Sequence, residues 1–166
     1  MRVEIPASVA ATGTLAHFTR PELMLPRLTG NEPASIIHEL ARALQSEGFV
    51  PDLLPFYHAA LNQELMANSG LDYGIAIPHA RLGGITQLQF ALGRTLEPIP
   101  WGSRSASPAQ LIFLLAVPAT DAARYLHLLA SLARFGEEPG LLAQLRKSPD
   151  PHSMYQVLEQ VKIRLI

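Results

Sequence analysis

The side chains best able to carry chemistry in this sequence are its six histidines. The 166 residues contain no cysteine, which excludes thiolate chemistry and disulfide bonds. No two histidines have the HExxH spacing of a zinc-binding helix, no GxSxG motif marks a serine nucleophile, and no glycine-rich nucleotide loop follows an apolar strand. Five of the histidines fall on predicted helices or terminal segments, where a half-exposed polar role is ordinary. His79 is the exception.

His79 follows the apolar run GIAIP (residues 74–78), which predicts a short buried strand that ends at the histidine. Pro78 cannot donate a hydrogen bond to a sheet, so we expect the chain to leave the sheet there. Strand ends are where α/β domains usually build their sites. A neutral imidazole is a good nucleophile once its other nitrogen is held. His79 is therefore either a nucleophile that can accept a phosphoryl group or a residue that closes the strand through a backbone hydrogen bond.

Composition indicates a single domain spanning residues 1–166. Hydrophobic residues make up 48% of the chain and charged residues 16%, against roughly 25% charged residues in typical soluble domains. The net charge is -1 and the 13 basic residues form no block, which argues against nucleic-acid binding. The longest apolar segment, LIFLLAV (residues 111–117), is far shorter than the roughly 20 residues of a membrane span. Residues 1–13 contain one basic residue and no long apolar run, so we expect no signal peptide there. We expect a cytoplasmic protein without direct membrane insertion.

Helical periodicity predicts five helices. Asn31, Asp52 and Asp121 are expected to cap the first three, and the segment SPDP (residues 148–151) introduces the last. A short helix around residues 141–146 precedes that last one. In the second helix the predicted core face consists of Tyr57, Ala60, Leu61 and Leu65.

The third predicted helix has two clear stripes. Its apolar stripe should face the core and consists of Tyr125, Leu128, Leu129, Leu132 and Phe135. Its polar stripe should face solvent and consists of Arg124, His127, Ser131 and Arg134. The final helix is expected to place Met154, Val157, Leu158 and Val161 against the core.

The strands predict one mixed sheet. QLQFALGR (residues 87–94) alternates apolar and polar residues like a half-buried strand, whereas LIFLLAV is apolar on both faces and should be central. Residues 95–109, between them, are rich in proline and serine and read as a surface loop. Because these two strands are joined by a loop and no helix, we expect the sheet to be mixed rather than wholly parallel. The expected fold is α/β, a single domain with a mixed β-sheet sandwiched between helices.

The segment QELMANSGLDYGIAIPHA (residues 63–80) resembles a family pattern, roughly R-E-x-x-x-[ST]-x-G-x-x-x-G-I-A-I-P-H, around a phosphorylated histidine. The pattern is that of enzyme IIA domains of the bacterial phosphotransferase system, of the fructose/mannitol type that includes the nitrogen-regulatory paralogue. YLHLLASL, FLLAVP, FTRPELM and FVPDLLPFYHAAL are similar to further segments of that family. The resemblance covers nearly the whole chain and implies the type 2 IIA fold.

The resemblance implies a phosphoryl carrier. His79 would accept a phosphoryl group from a histidine-containing phosphocarrier protein and pass it to a IIB transporter domain, or would serve a regulatory target, without metal or cofactor. The site would have to stabilise roughly -1.5 to -2 units of added charge. Backbone N–H groups near Gly74, Ala80 and Arg81 are candidate donors to the phosphoryl oxygens.

Two departures from the family pattern matter more than the match. Gln63 stands where the family has an arginine, although the neighbouring Glu64 is kept. Tyr125 stands where the family has a second histidine near the active one. Glutamine and tyrosine can donate hydrogen bonds but carry no positive charge, and charge-assisted bonds are roughly twice as strong. Arg81 is either a replacement for the missing charge or an ordinary exposed arginine.

Three hypotheses follow. The protein is a working phosphocarrier of sugar uptake or nitrogen-type regulation, as the intact GIAIPH favours. Alternatively it is a regulatory relative whose phosphorylation is impaired and which acts by binding proteins, as Gln63 and Tyr125 favour. The third hypothesis, an unrelated enzyme that uses His79 as a general base, has no positive support in the sequence.

Overall fold

A computed structural model describes residues 12–102 and 108–165. The strands are β1 Thr12–Thr14, β2 Met24–Leu25, β3 Ile75–Ala76, β4 His79–Leu82, β5 Gln89–Ile99, β6 Ala109–Pro118 and β7 Lys162–Arg164. The helices are α1 Pro33–Ser46, α2 Leu53–Met66, α3 Ala122–Phe135, α4 Pro139–Lys147 and α5 Pro151–Leu158. Two short 3-10 helices, Leu15–Phe18 and Pro21–Leu23, separate β1 from β2.

The main sheet is mixed, as predicted. Its order is β2-β5-β6, and β3 and β4 pair in succession along the other edge of β6. β5 and β6 are antiparallel, whereas β2 runs parallel to β5, and β3 and β4 run parallel to β6. Residues 111–117 of β6 are completely buried, so both faces of the sheet are covered and the central placement of LIFLLAV is confirmed. The fold is a mixed α/β domain in which α1 packs on β5 and β6, α2 on β4 and α5 on β2.

The strand β5 differs from its prediction in two ways. Ala91 is fully buried beside Phe90 and Leu92, because the sheet is covered on both sides and a small side chain fits there. The strand also continues to Ile99, into the segment predicted to be a surface loop. The pairing register with β6 shifts between Arg94 and Ile99, and Ile99 then pairs with Ala109. Farther along the same predicted loop, the Trp101 side chain is buried as well. Residues 103–107 of that loop lie outside the described residues.

A second, two-stranded sheet was not predicted. β1 pairs antiparallel with β7, so that Gly13 lies opposite Ile163. The final helix therefore ends at Leu158 rather than reaching Val161, and the chain turns back into a strand in which only Ile163 is buried. β1 and β7 are three residues each, too short to show a hydrophobic period, and each forms a strand only by pairing with the other. Because the two lie about 150 residues apart in the chain, the local sequence pattern does not predict them.

Asp52 and Asp121 occupy the predicted N-cap positions of α2 and α3, but within the described chain the side-chain bonds expected of these caps are not formed. The N-cap of α1 is Glu32 rather than Asn31, and in the described structure neither Glu32, Asp52 nor Asp121 makes a side-chain capping bond. Asp121 lies instead 4.0 Å from the Arg124 guanidinium. The described helix with a complete capping box is α5, where Asp150 accepts from the Ser153 N–H at 2.8 Å. These bonds lower the pKa of the Asp150 carboxyl.

The buried face of α2 also differs from its prediction. Phe56 and Ala60 are buried, whereas Leu65 is 78% exposed. Because α2 carries apolar residues on every side, its periodicity selects no single face. Its core face is decided by contact with α1 and β4.

The polar stripe of α3 is not wholly in solvent. Ser131 is buried and donates a hydrogen bond to the His127 carbonyl at 2.9 Å. The Nε2 atom of His127 is buried too, and within the described part of the chain it has no hydrogen-bond partner. His127, Ser131 and Arg134 line a cavity together with residues of β1 and β7, so this side of α3 faces another part of the fold, which helical periodicity does not predict.

The core can be tested at Phe113, whose buried ring lies between Phe90 and Phe135 with ring centroids 5.5 and 6.4 Å away. Phe113→Ala should lower the free energy of unfolding by about 3–5 kcal/mol, because it removes a large apolar side chain and leaves a cavity. Chemical denaturation measures this change. Leu96→Ala is the control, since Leu96 is 91% exposed and its removal should have little effect. Equal effects of the two substitutions would contradict this placement of the core.

Candidate functional site

His79 opens a strand rather than ending one. Contrary to the prediction, the chain does not leave the sheet at Pro78, because β4 resumes pairing with β6 and places His79 opposite Leu115. Pro78 lies in the gap between β3 and β4, where its missing N–H breaks no ladder bond and its carbonyl accepts from the Leu115 N–H at 3.0 Å. The sheet therefore fixes the backbone on both sides of this gap.

The two ring nitrogens of His79 have different partners. Nδ1 lies 3.3 Å from the Ile77 carbonyl oxygen, which can only accept a hydrogen bond. In the neutral ring the proton is therefore on Nδ1, and Nε2 carries the lone pair. Nε2 lies 2.8 Å from the Tyr125 hydroxyl, which donates to it. This arrangement makes Nε2 the nucleophilic nitrogen.

Tyr125 reaches His79 from the first turn of α3, with the two ring centroids 5.0 Å apart. Partial burial raises the pKa of the Tyr125 phenol above its usual value, and the nearby Arg81 guanidinium opposes this shift to a lesser degree. The phenol therefore stays protonated at neutral pH and can donate its hydrogen bond. Tyr125 occupies the lone pair that an incoming phosphoryl group would need.

The structure brings most of the predicted neighbours around His79. A pocket of about 440 Å³ is lined by His79, Ala80 and Arg81 from β4, Ala59 and Gln63 from α2, and Tyr125 from α3. Among these described lining residues, Arg81 carries the cationic side chain, and it is exposed to solvent. Gly74, one of the predicted backbone donors, does not line the pocket, and its carbonyl accepts from Gln110 and Leu111 at the start of β6.

Glu64 lies outside the pocket lining, although Gln63 beside it points in. Its carboxylate accepts hydrogen bonds from the Ser69 N–H at 2.9 Å, the Ser69 hydroxyl at 2.6 Å and the Trp101 indole N–H at 2.6 Å. Sequence reasoning missed both Ser69 and Trp101. Trp101 lies in a segment that was predicted to be a surface loop, so nothing in its local pattern indicated a buried indole.

Within residues 12–102 and 108–165, the helices are all too short or too polar to traverse a lipid bilayer.

The titration of Tyr125 can be tested directly. In a spectrophotometric pH titration, the difference between wild type and Tyr125→Phe should show a tyrosine with a midpoint above 10, because burial disfavours the phenolate. Above that midpoint the phenolate can no longer donate to Nε2. Tyr73→Phe is the control, since Tyr73 is 45% exposed. A difference midpoint at or below 10 for Tyr125 would contradict the burial of its hydroxyl.

Comparison with known proteins agrees with this fold. The family model described as "Phosphoenolpyruvate-dependent sugar phosphotransferase system, EIIA 2" matches residues 17–161. A nitrogen regulatory protein of Bradyrhizobium diazoefficiens is 31% identical over 144 residues, covering 87% of this chain and 94% of that protein.

Two solved structures share the fold. The nitrogen regulatory protein IIA-Ntr of Neisseria meningitidis superposes with a TM-score of 0.77 at 23% identity, covering 87% of this chain and 98% of the other. The complex of enzyme IIAMtl with phosphorylated enzyme IIBMtl from Escherichia coli gives a TM-score of 0.69 at 15% identity, covering 82% of this chain and 94% of the matched one. The family match over residues 17–161, together with the 31% identical relative, shows that the chain belongs to the EIIA type 2 family of the phosphoenolpyruvate-dependent sugar phosphotransferase system.

Proposed function

We propose that this protein is a phosphoryl carrier in which Nε2 of His79 accepts a phosphoryl group from a histidine-containing phosphocarrier protein. The observation that carries the proposal is the orientation of the His79 ring. Its Nδ1 atom is held by the Ile77 carbonyl, so Nε2 carries the lone pair, and the ring lines an accessible pocket. A nucleophile oriented in this way needs no metal and no cofactor.

The transfer balances without a further reactant. The P–N bond of the donor's phosphohistidine breaks, and its electron pair returns to the donor ring. The Nε2 lone pair of His79 forms the new N–P bond, while Nδ1 keeps its proton and its hydrogen bond to the Ile77 carbonyl. The donor ring, protonated on its other nitrogen, leaves as a neutral imidazole, and its positive charge passes to the phosphorylated His79 ring. Discharge to an acceptor repeats the same exchange in reverse at His79.

Tyr125 has to release Nε2 before the new bond forms. Its hydrogen bond at 2.8 Å occupies the lone pair, so its displacement adds to the barrier. Once the phosphoryl group is attached, the neutral phenol can donate to one of its oxygens, and the Gln63 amide can donate to another. Arg81 supplies the positive charge of the pocket and offsets part of the roughly -1.5 to -2 units that arrive with the group.

The partners follow from this chemistry. The donor is a phosphorylated histidine phosphocarrier, and the acceptor is either a IIB transporter domain or a regulatory target protein. A IIB partner is supported by the shared fold with enzyme IIAMtl, which has been solved in complex with phosphorylated enzyme IIBMtl. We place the exchange in the cytoplasm, where phosphoenolpyruvate is available.

A second candidate function is regulation by protein binding with impaired phosphorylation. Two observations favour it. The Bradyrhizobium diazoefficiens relative and the Neisseria meningitidis structure are both nitrogen regulatory proteins. Gln63 and Tyr125 also leave the pocket with fewer positive charges than an arginine and a histidine would provide. The two functions are separated by whether His79 is phosphorylated at a useful rate.

The carrier function can be tested by phosphorylation in vitro. Incubation with phosphoenolpyruvate and the two general phosphotransferase proteins should add one phosphoryl group to the intact protein, as measured by mass spectrometry. His79→Ala should add none. His152→Ala is the matched control, because His152 is exposed on α5 and should leave the added mass unchanged. A folded wild type that gains no mass would remove the carrier function and leave the regulatory one.

The effect of the two departures can be tested by reversing them. Gln63→Arg combined with Tyr125→His should raise the rate of phosphorylation on the order of tenfold, because charge-assisted bonds to the phosphoryl oxygens replace neutral ones. Rapid-quench measurement of phosphoprotein gives the rate. Tyr125→Phe removes the hydrogen bond to Nε2 without adding a positive charge, so its rate separates the effect of freeing Nε2 from the effect of the added charge. An unchanged rate in the double variant would show that these positions do not limit the transfer.

A further inference from the structure

We propose that Trp101, Glu64 and Ser69 form a positioning relay that holds Ile77 and thereby keeps the proton of the neutral His79 ring on Nδ1. These residues touch neither the pocket nor the reacting atoms, so they act through the backbone. The significance of the relay for phosphoryl transfer rests on the proposed function. Its effect on the ring does not, because the position of a proton can be measured without any phosphoryl group.

The relay begins at a carboxylate with three donors. Glu64 accepts from the Trp101 indole and the Ser69 N–H through Oε1, and from the Ser69 hydroxyl through Oε2. Hydrogen bonds to a carboxylate are shorter and stronger than neutral ones, and two of these three are 2.6 Å long. Ser69 is therefore held by both its backbone and its side chain.

Ser69 passes this constraint to Ile77. The Ile77 N–H donates to the Ser69 hydroxyl oxygen and to the Ser69 carbonyl, each at 3.2 Å. The serine hydroxyl can accept this bond because its own hydrogen is already committed to Glu64. Gly70 forms an antiparallel bridge with Ala76 beside this contact, so the segment runs along β3 like a short extra strand.

Ile77 in turn orients the carbonyl that binds His79. Its N–H side is fixed by Ser69, and the next peptide ends in Pro78, whose ring fixes its own backbone angle. The Ile77 carbonyl therefore has little freedom to turn away from Nδ1. At 3.3 Å the bond to Nδ1 is long, and a small rotation of this peptide would break it.

Hydrogen bonds of Asn68 also hold Trp101 in place. The Asn68 amide donates to the Trp101 carbonyl at 3.0 Å and accepts from the Gly70 N–H at 2.7 Å. The following residue, Gly102, has φ +97, and a Cβ there would overlap the Asn68 amide nitrogen, so the close approach requires glycine. The indole is therefore buried and fixed at both its side chain and its backbone.

The purpose of such a relay is chemical selection. Either nitrogen of a neutral imidazole can carry the proton, and a ring protonated on Nε2 has no lone pair facing the pocket. Holding the Ile77 carbonyl against Nδ1 removes that unproductive form. The relay thus supplies a nucleophile in the correct protonation state, without adding charge to the pocket.

The test compares Ser69→Thr with Ser69→Val. The two substitutions are matched in shape, and only threonine keeps the hydroxyl that links Glu64 to Ile77. Nitrogen-15 NMR of the neutral His79 ring gives the ratio of the Nδ1–H to the Nε2–H form. We expect Ser69→Thr to keep the wild-type ratio and Ser69→Val to lower it on the order of fivefold to tenfold, the equilibrium change that follows from losing one ordinary hydrogen bond.

A second pair of variants protects the test against misfolding. Glu64→Gln should lower the same ratio, whereas Glu97→Gln, at an exposed carboxylate of β5, should not. The Ser69→Val and Glu64→Gln variants should also slow phosphorylation at saturating donor without changing the half-saturating donor concentration, because the docking surface is untouched. A ratio that is unchanged in a folded Ser69→Val or a folded Glu64→Gln overturns the relay.

The outcomes separate this inference from the proposed function. If the ratio falls as expected but wild type accepts no phosphoryl group, the relay stands and the carrier function fails. If wild type is phosphorylated and the ratio does not move in the folded variants, the carrier function stands and the relay fails.

Discussion

The hydrogen bond between Nδ1 of His79 and the Ile77 carbonyl is the constraint on which the site depends. It decides which ring nitrogen carries the lone pair, and that nitrogen faces the pocket, where it accepts a hydrogen bond from Tyr125. The sheet supports this bond on one side, because β3 and β4 both pair with β6 on either side of Pro78. Ser69 supports it on the other side by holding the Ile77 N–H. The backbone is thus fixed before any partner binds, which lowers the entropic cost of reaction.

The pocket combines a well-oriented nucleophile with weak positive charge. Tyr125 contacts Nε2 and stays neutral, since burial raises the pKa of its phenol, and Gln63 contributes only an amide. Arg81 is the lining residue that brings a full charge, and its exposure to solvent screens that charge. Such a site can bind a phosphoryl group by hydrogen bonding but stabilises its charge less than a site with an arginine and two histidines. Slow phosphorylation and signalling through bound proteins are compatible with this balance.

Much of the fold could be predicted from the sequence because strong local patterns agree with it. The apolar residues of LIFLLAV predict a central strand, and the structure confirms it. The errors occur where the local pattern is weak. α2 is apolar on all sides, so the exposure of Leu65 had no signature, and the pairing of β1 with β7 joins the two ends of the described chain. The prolines around Trp101 predict a surface loop, whereas β5 continues to Ile99 and the Trp101 side chain just beyond it is buried.

The sequence by itself pointed to His79 as the candidate reactive side chain, since GIAIPH sets it apart from the other five histidines. The resemblance to the family pattern also indicated that Gln63 and Tyr125 stand where that pattern has an arginine and a histidine. The sequence could not show which nitrogen of His79 carries the lone pair, that Tyr125 occupies that lone pair, or that Glu64 serves Ser69 and Trp101 rather than the pocket. The physical reason is that composition and periodicity report which face of an element is apolar. Hydrogen bonds between residues far apart in the chain depend on how those elements pack, and only the tertiary structure decides that.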